Sequence, residues 1–356
     1  MAKTQVELRG ASILVTGAAG FIGATLCEKL CREYPESTVV GFDSVNDYYD
    51  TRLKNARLTR LHRFTNFRFI KGDLVDKGLV DHVMAEVRPH IVVNLAAQAG
   101  VRYSIMHPEA YIDSNVIGFF NVLEACRHAL PEEGGNLQHL VYASSSSVYG
   151  ANTKIPYSTE DQVDHPVSLY AATKKSNELF AHAYAKLFNI PSTGLRFFTV
   201  YGPEGRPDMA YFSFAEHMVR DEKIRIFNYG YCMRDFTYID DIVEGIHLVM
   251  QKAPAKEMGE DALPIPPYAL YNIGCGKPSH LLDFVQILKE ELVNAGVLPH
   301  TFDLPSHMEL VPMQPGDVPK TFADTDALMQ DFGYRPSTDL RTGLRHFAEW
   351  YKQYTS

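Results

Sequence analysis

An α/β fold, built as a doubly wound parallel sheet with a smaller C-terminal α/β substrate-binding lobe, is predicted by three features of this 356-residue chain. Short apolar runs alternate with stretches of helical spacing from Ser12 to about Arg196, the order that covers a parallel sheet with helices on both faces. The first apolar run ends in a glycine turn, Gly17-Ala18-Ala19-Gly20-Phe21-Ile22-Gly23, which leads straight into a helical pattern. After about Tyr201 the rhythm breaks, and prolines from Pro203 to Pro319 divide the chain into short segments. Length alone suggests roughly two structural units. The expected division is residues 1–200 for the sheet domain, with elements returning to it from about 230–275, and 201–356 mainly for the lobe.

Each element has a local reason. Residues 12–17 form a short continuous apolar run closed by glycine, as in a strand buried on both faces. Residues 21–34 carry helical apolar spacing and stop at Pro35, which cannot continue a helix. Further strands are expected at 38–43, 67–70, 90–95, 140–143 and 192–196, with helices between them, notably 108–128 and 168–188. The proline-rich, mixed-charge stretch 253–267 reads as an exposed loop. No internal repeat or low-complexity tract appears.

Composition narrows the function. Hydrophobic residues make up 46% and charged residues 22%, enough apolar content for a substantial core. A net charge of −9 without a basic stretch argues against nucleic acid as a partner. The five cysteines (Cys27, Cys31, Cys126, Cys232 and Cys275) are odd in number, form no Cys-x-x-Cys pair and lack ligand-spaced partners. They read as buried thiols of a reducing compartment, with no metal site. The first ten residues form no signal peptide and no run is long enough to span a bilayer, so a cytoplasmic protein without a membrane partner is expected.

The glycine turn is spaced Gly-x-x-Gly-x-x-Gly, a weak signal alone. Its setting strengthens it, because a strand precedes, a helix follows, and Asp43 ends the next strand. In a Rossmann-type sheet such glycines let the backbone approach a pyrophosphate, and the N–H groups at the start of the helix receive it. Gly17, Gly20, Phe21, Ile22 and Gly23 are therefore candidate cofactor contacts. A carboxylate at Asp43 would accept hydrogen bonds from a ribose diol and repel a 2′-phosphate, which favours NAD over NADP. The plain alternative is a tight turn plus a surface aspartate. Asp73 and Leu74, in Gly72-Asp73-Leu74, fit beside the adenine, although a helix N-cap explains them equally well. The small residues around Leu95, Ala96 and Ala97 would let a cofactor lie against the chain.

Tyr170-Ala171-Ala172-Thr173-Lys174 puts a phenol and an ammonium about one helical turn apart. A free tyrosine, with a pKa of about 10, is a poor base at neutral pH. A nearby lysine and a positive nicotinamide ring would both favour the phenolate. Tyr170 could then take a hydroxyl proton while hydride leaves the same carbon, with Lys174 on the nicotinamide ribose. An exposed Tyr and Lys on an amphipathic helix is the ordinary alternative. Ser144-Ser145-Ser146-Ser147-Val148-Tyr149-Gly150 follows a predicted strand, and a hydroxyl there could bridge a substrate alcohol to Tyr170. Alternatively, the serines simply line a strand end.

Together with Arg234-Asp235-Phe236-Thr237-Tyr238-Ile239-Asp240-Asp241, these segments resemble the extended short-chain dehydrogenases/reductases of the nucleotide-sugar epimerase and dehydratase group over nearly the whole chain. The resemblance implies an active-site hydroxyl four residues before the Tyr of Val-Tyr-Gly, which is Ser145, with Ser144 beside it. Dehydratases of the group carry Asp-Glu where this chain has Ser146 and Ser147, and UDP-glucuronate decarboxylases carry Glu at the position of Ser147. What remains is epimerisation by removal and return of hydride.

Four further segments, at 97–104, 196–203, 205–209 and 312–317, are similar to those of UDP-glucuronate 4-epimerases. Many galactose-type epimerases have Asn in place of Thr199 and Arg in place of Gln314. The resemblance implies that Thr199 and Arg206 bind the sugar carboxylate, Arg206 as a two-pronged fork, and that they hold it so that the 4-keto intermediate keeps its carbon dioxide. It also implies Arg234 on the diphosphate, Asp317 on the uridine ribose, Arg102 on phosphate or carboxylate, and Phe227 with Asn228 near the uracil. Arg206 as a surface loop arginine, Arg234 paired to a carboxylate and Phe227 in the core are the structural alternatives. Epimerisation of UDP-glucose or a UDP-N-acetylhexosamine is a rival activity, and a non-catalytic NAD-sensing scaffold a rival of another class. The group commonly dimerises through helices matching 108–128 and 168–188, which implies a homodimer, and its products feed polysaccharide biosynthesis.

Overall fold

The computed structural model describes residues 2–259, 262–314 and 316–355. Pro315 of the C-terminal motif lies outside the described residues. Seven parallel strands form the central sheet, in the spatial order Tyr268–Ile273, Ser192–Phe197, His139–Ser145, Ile91–Asn94, Ser12–Thr16, Thr38–Asp43, Phe67–Lys71. Strand order reverses between Ser12–Thr16 and Ile91–Asn94, and a crevice opens at the carboxyl ends there, where α/β sheets bind ligands. The inner strands read as continuous apolar runs because helices bury both faces. Ile13, Val15, Val39, Ile91, Val92, Val93, Leu140 and Val141 are all at 0% exposure.

Six of these strands match the expected ones to within a residue or two. The seventh, Tyr268–Ile273, returns from the proline-rich part of the chain to pair with Ser192–Phe197. The Ile239–Met250 helix packs its apolar face beside the Phe21–Glu33 helix, and a Lys29–Glu244 ion pair of 2.9 Å and a Tyr34–His247 hydrogen bond of 2.7 Å cross the seam. Ile242, Ile246, Val249 and Met250 are fully buried there, each worth roughly 1.5–3 kcal/mol of apolar transfer. Smaller pairings complete the lobe: Thr199–Tyr201 with Phe236–Tyr238, Ile224–Ile226 with Met308–Leu310, and Met233–Arg234 with Ser279–His280.

Two expectations need correction. The helix expected over 108–128 is interrupted. It begins as Pro108–Tyr111, widens to a π-helical stretch Ile112–Ile117 and resumes as Gly118–His128. Asn115 explains the break: its side chain accepts from the Gln98 N–H and donates to the Gln98 carbonyl, while its own carbonyl accepts from Asn177. The stretch 253–267 is not simply a loop. Lys252–Pro254 pairs antiparallel with Lys3–Gln5, and Glu257–Met258 with Pro264–Ile265. The 168–188 helix runs Leu169–Phe188, with the Ser168 hydroxyl capping the Ala171 N–H. Cys27, Cys31, Cys126 and Cys232 are buried free thiols, and burial pushes Cys31 up to about 12. Among the described residues, no cluster of His, Cys, Asp and Glu could hold a metal ion, and no helix is long and apolar enough to cross a membrane.

Candidate active site

A cavity of about 450 Å³ occupies the crevice. At one end lies the glycine turn. Gly17 has φ +72°, and a Cβ there would stand 2.8 Å from the Ala96 nitrogen; one on Gly23 would stand 2.1 Å from the Gly17 carbonyl oxygen. The turn therefore closes tightly against the neighbouring strand end, which no residue with a side chain permits. Thr16 clamps the same point, since its hydroxyl donates to Asn94 Oδ1 at 2.7 Å and accepts from the Ala96 N–H at 3.1 Å. The Phe21–Glu33 helix starts at Gly20 with no side-chain cap, so the first-turn N–H groups are available for an anion. Asp43 lies at the rim, where Oδ2 accepts from the Ala19 N–H at 3.0 Å and Oδ1 from the Val45 N–H at 2.8 Å. Asp73, Leu74, Leu95, Ala96 and Ala97 line the adjoining wall. This glycine-lined trough, with a carboxylate at its rim and free helix N–H groups at its floor, fits a dinucleotide.

At the other end Tyr170, Lys174, Ser145, Ser146, Ser147, Thr199 and Arg206 line the same cavity. Strand alternation separates the first two serines. Ser144 turns inward and donates to Glu178 Oε1 at 2.6 Å. Its hydroxyl belongs to a buried Glu178–Arg196 pair with contacts of 2.8 and 2.9 Å, and it is not aimed at Tyr170. Ser145 takes the opposite face. Its Oγ accepts the Ser147 N–H at 3.2 Å, which leaves its own proton for the neighbouring Tyr170 oxygen. The Lys174 ammonium donates to the Ala143 carbonyl at 2.9 Å.

The electrostatics differ from expectation on one point. Burial raises the Tyr170 phenol above its ordinary value, while the Ser145 hydroxyl and the Arg206 charge pull the other way. Lys174 is not among these influences. Its ammonium is turned to Ala143, and burial lowers it to about 8. Arg206 is pulled down by burial, but the Asp208 carboxylate more than offsets this and holds it raised. Its Nε and Nη2 donate to Asp208 Oδ1 and Oδ2 at 2.9 and 2.8 Å. The fork expected for a substrate is thus already occupied by a carboxylate two residues away.

Arg102, Phe227, Arg234 and Asp317 form a neighbouring cluster outside the cavity wall. The Arg102 guanidinium lies 4.7 Å over the Phe227 ring, and Arg234 Nη2 donates to Asp317 Oδ1 at 2.8 Å. The chain before Asp317 passes over Val101, itself a wall residue: a Cβ on Gly316 would be 3.0 Å from Val101 Cγ1.

Several contributors escaped sequence reasoning. Lys54 lines the cofactor end and donates to the Asn46 carbonyl at 2.7 Å. Arg57, at 1% exposure, donates to the Ala19 carbonyl at 2.9 Å and braces the glycine turn from behind. Tyr48 lines the wall and donates to Asp208. Each sits on a segment without a motif, and only Asp208, two residues from Arg206, left a trace in the spacing.

A dinucleotide trough at the switch point of a parallel sheet, joined to a Tyr-x-x-x-Lys pair, defines a nicotinamide-dependent enzyme of the extended short-chain class. The chain belongs to the NAD dependent epimerase/dehydratase family, whose model matches residues 13–274. Protein CapI of Staphylococcus aureus is 49% identical over 96% of this chain and 98% of its own length. A probable UDP-glucuronate 4-epimerase of Rhizobium meliloti is 42% identical over 96% of each. The crystal structure of UDP-glucuronic acid 4-epimerase from Bacillus cereus, in complex with UDP-glucuronic acid and NAD, is similar with a TM-score of 0.81 at 31% identity, covering 96% of this chain and 99% of that one.

Proposed function

We propose that this protein is an NAD-dependent isomerase that interconverts UDP-glucuronate and UDP-galacturonate at carbon 4. One observation carries the reading: a half-buried phenol with a serine hydroxyl beside it shares one cavity with a dinucleotide trough and with Thr199 and Arg206. Serines at 146 and 147, where a dehydratase carries an acid and a base, leave hydride removal and return as the chemistry.

Gly17, Gly20, Phe21, Ile22, Gly23, Asp43, Asp73, Leu74, Leu95, Ala96, Ala97 and Lys174 would hold the cofactor. When bound there, NAD⁺ supplies a hydride acceptor that serves as donor on the return. Tyr170 Oη takes the proton of the C4 hydroxyl. The Ser145 hydroxyl, oriented by the Ser147 N–H, donates toward the same oxygen and stabilises its negative charge. The buried Lys174 ammonium, held by the Ala143 carbonyl, would orient the ribose. The resulting 4-keto sugar turns about its diphosphate link, and Tyr170 returns the proton to the newly formed alkoxide on the opposite face. Thr199 and Arg206 meet the carboxylate, Ser146 and Ser147 line its surroundings, and Arg102, Phe227, Arg234 and Asp317 receive the nucleotide beyond Val101.

In this reading residues 1–200, with the returning strand, carry the cofactor, and 201–356 mainly carry the nucleotide sugar. Exposed Ile112, Ile117, Phe120, Leu179 and Leu187 on the two helical segments favour a homodimer through a shared helix bundle. Reduced, buried thiols fit a cytoplasmic enzyme, one that supplies a uronate donor to polysaccharide biosynthesis.

The direct experiment incubates purified protein with UDP-glucuronate and, separately, UDP-glucose, and resolves the sugars. Formation of UDP-galacturonate at a rate well above conversion of UDP-glucose is expected. Exclusive turnover of the neutral sugar would overturn the substrate, and no turnover of either would overturn the enzyme.

A further inference from the structure

The contact between Arg206 and Asp208 bears on how an epimerase handles an anionic sugar. Arg206 lines the same cavity as Thr199 and Met209. A guanidinium has five N–H groups in a plane, and its strongest pairing with a carboxylate uses two of them in parallel. In this chain Asp208 takes that pairing. The other Nη2 hydrogen turns toward Met209 Sδ at 3.8 Å, so only Nη1 is left without a protein acceptor among the described residues.

The pairing is itself built into the wall. The Tyr48 hydroxyl donates to Asp208 Oδ2 at 3.1 Å, and the Tyr48 ring packs edge-on to Tyr103 at 4.6 Å. Tyr48 reaches Asp208 across Gly100, whose φ is +105° and where a Cβ would stand 3.0 Å from the Tyr48 oxygen. A side chain at position 100 would crowd the hydroxyl that steadies Asp208.

Epimerisation demands that the same pocket accept the sugar in two orientations. The C5 carboxylate swings with the ring between hydride removal and return. A directional, two-pronged ion pair in a half-buried site would hold one orientation and slow the turn. The Nη1 group alone, whose two N–H bonds diverge, on a guanidinium already neutralised by an internal carboxylate, holds either orientation weakly. We propose that Asp208, steadied by Tyr48, is a positioning residue that keeps Arg206 a one-pronged partner for the uronate carboxylate, so that the keto sugar can turn instead of being clamped. This inference rests on the uronate reading above.

The test compares the NAD-loaded wild type with Asp208→Ala, Asp208→Asn, Asp208→Glu and Tyr48→Phe. Steady-state kinetics are measured with UDP-glucuronate, and calorimetric Kd values with UDP-glucuronate and UDP-glucose. Asp208→Ala frees the fork. The Kd for UDP-glucuronate should fall about ten-fold, the worth of one added charge-assisted hydrogen bond. The Kd for UDP-glucose should not move, and kcat should fall by at least the same factor. Asp208→Glu, which can still reach the guanidinium, should restore kcat, and Tyr48→Phe should shift both quantities the same way by less. A folded Asp208→Ala enzyme with unchanged or weaker uronate affinity overturns the proposal, as does tighter binding without loss of kcat. Should the alanine variant fail to fold, Asp208→Asn is judged by the same signs, because its amide oxygen replaces only one acceptor. If wild type never epimerises UDP-glucuronate, the uronate reading fails on that result alone, while the Kd comparison still decides whether Asp208 withholds the fork.

Discussion

Lys174 lies at 4% exposure, and its ammonium donates to the Ala143 carbonyl at 2.9 Å. Replacing it with methionine keeps the length and removes the charge. Burial brings this ammonium from 10.5 to about 8, a fall worth about 3 kcal/mol against the protonated form. Methionine loses the hydrogen bond to Ala143, which offsets about 1–2 kcal/mol. Cofactor-free Lys174→Met should therefore be more stable than wild type by on the order of 1–2 kcal/mol at pH 7, while losing activity, the trade expected where function demands a strained group. The pH dependence gives a second sign. Between about pH 8 and 10.5 the unfolded chain keeps this proton and the folded one has released it, so wild-type stability rises with pH across that window. The variant lacks this rise, and the gap between the two proteins should narrow from pH 7 to pH 9.5. Urea unfolding of both cofactor-free proteins at the two pH values measures it. A variant less stable than wild type at pH 7, or a gap that widens at pH 9.5, would show that the charge is not held at a cost.

Three other outcomes follow from the same geometry. Tyr170→Phe should lower kcat by at least about 10³-fold, within the 10²–10⁴ span of acid–base catalysis, with bound NAD unchanged on extraction. Gly23→Ala puts a Cβ 2.1 Å from the Gly17 carbonyl oxygen, so the turn must open; purified protein should carry little NAD, measured by absorbance after denaturation. Glu178→Gln leaves Arg196, at 1% exposure, without its counter-charge; a loss of about 3–5 kcal/mol is expected in chemical denaturation, and a loss below about 1 kcal/mol would contradict the buried pair.

Much of the sheet was legible because its signal is local. Thr38–Asp43 appears in the structure with the expected ends, since a run of β-branched and aromatic residues, broken only by Gly41, between a turn and a carboxylate leaves few alternatives. The glycine turn and Tyr170–Lys174 were equally readable, because each is a short motif whose spacing carries its mechanism. What escaped depends on partners far along the chain. The π-helical break exists because Asn115 binds Gln98 and Asn177, and nothing in the apolar periodicity of 108–128 records those contacts. Tyr268–Ile273 sits between prolines and turns, and only its pairing with Ser192–Phe197 makes it a sheet strand. Arg234 and Asp317 were singled out separately, yet their mutual ion pair spans 83 positions. The partner of the Lys174 ammonium was hidden for a similar reason: spacing brings two side chains near one pocket but says nothing of the Ala143 carbonyl that the ammonium binds.

The strand Tyr268–Ile273 also sets a clock on biosynthesis. The ribosome delivers Ser192–Phe197 well before its outer neighbour exists, so a nascent chain carries a raw sheet margin, its peptide groups open to any passing strand. Completion waits until Ile273 clears the exit tunnel. A gene fragment ending near codon 200 would therefore make a sticky product rather than a portable cofactor module.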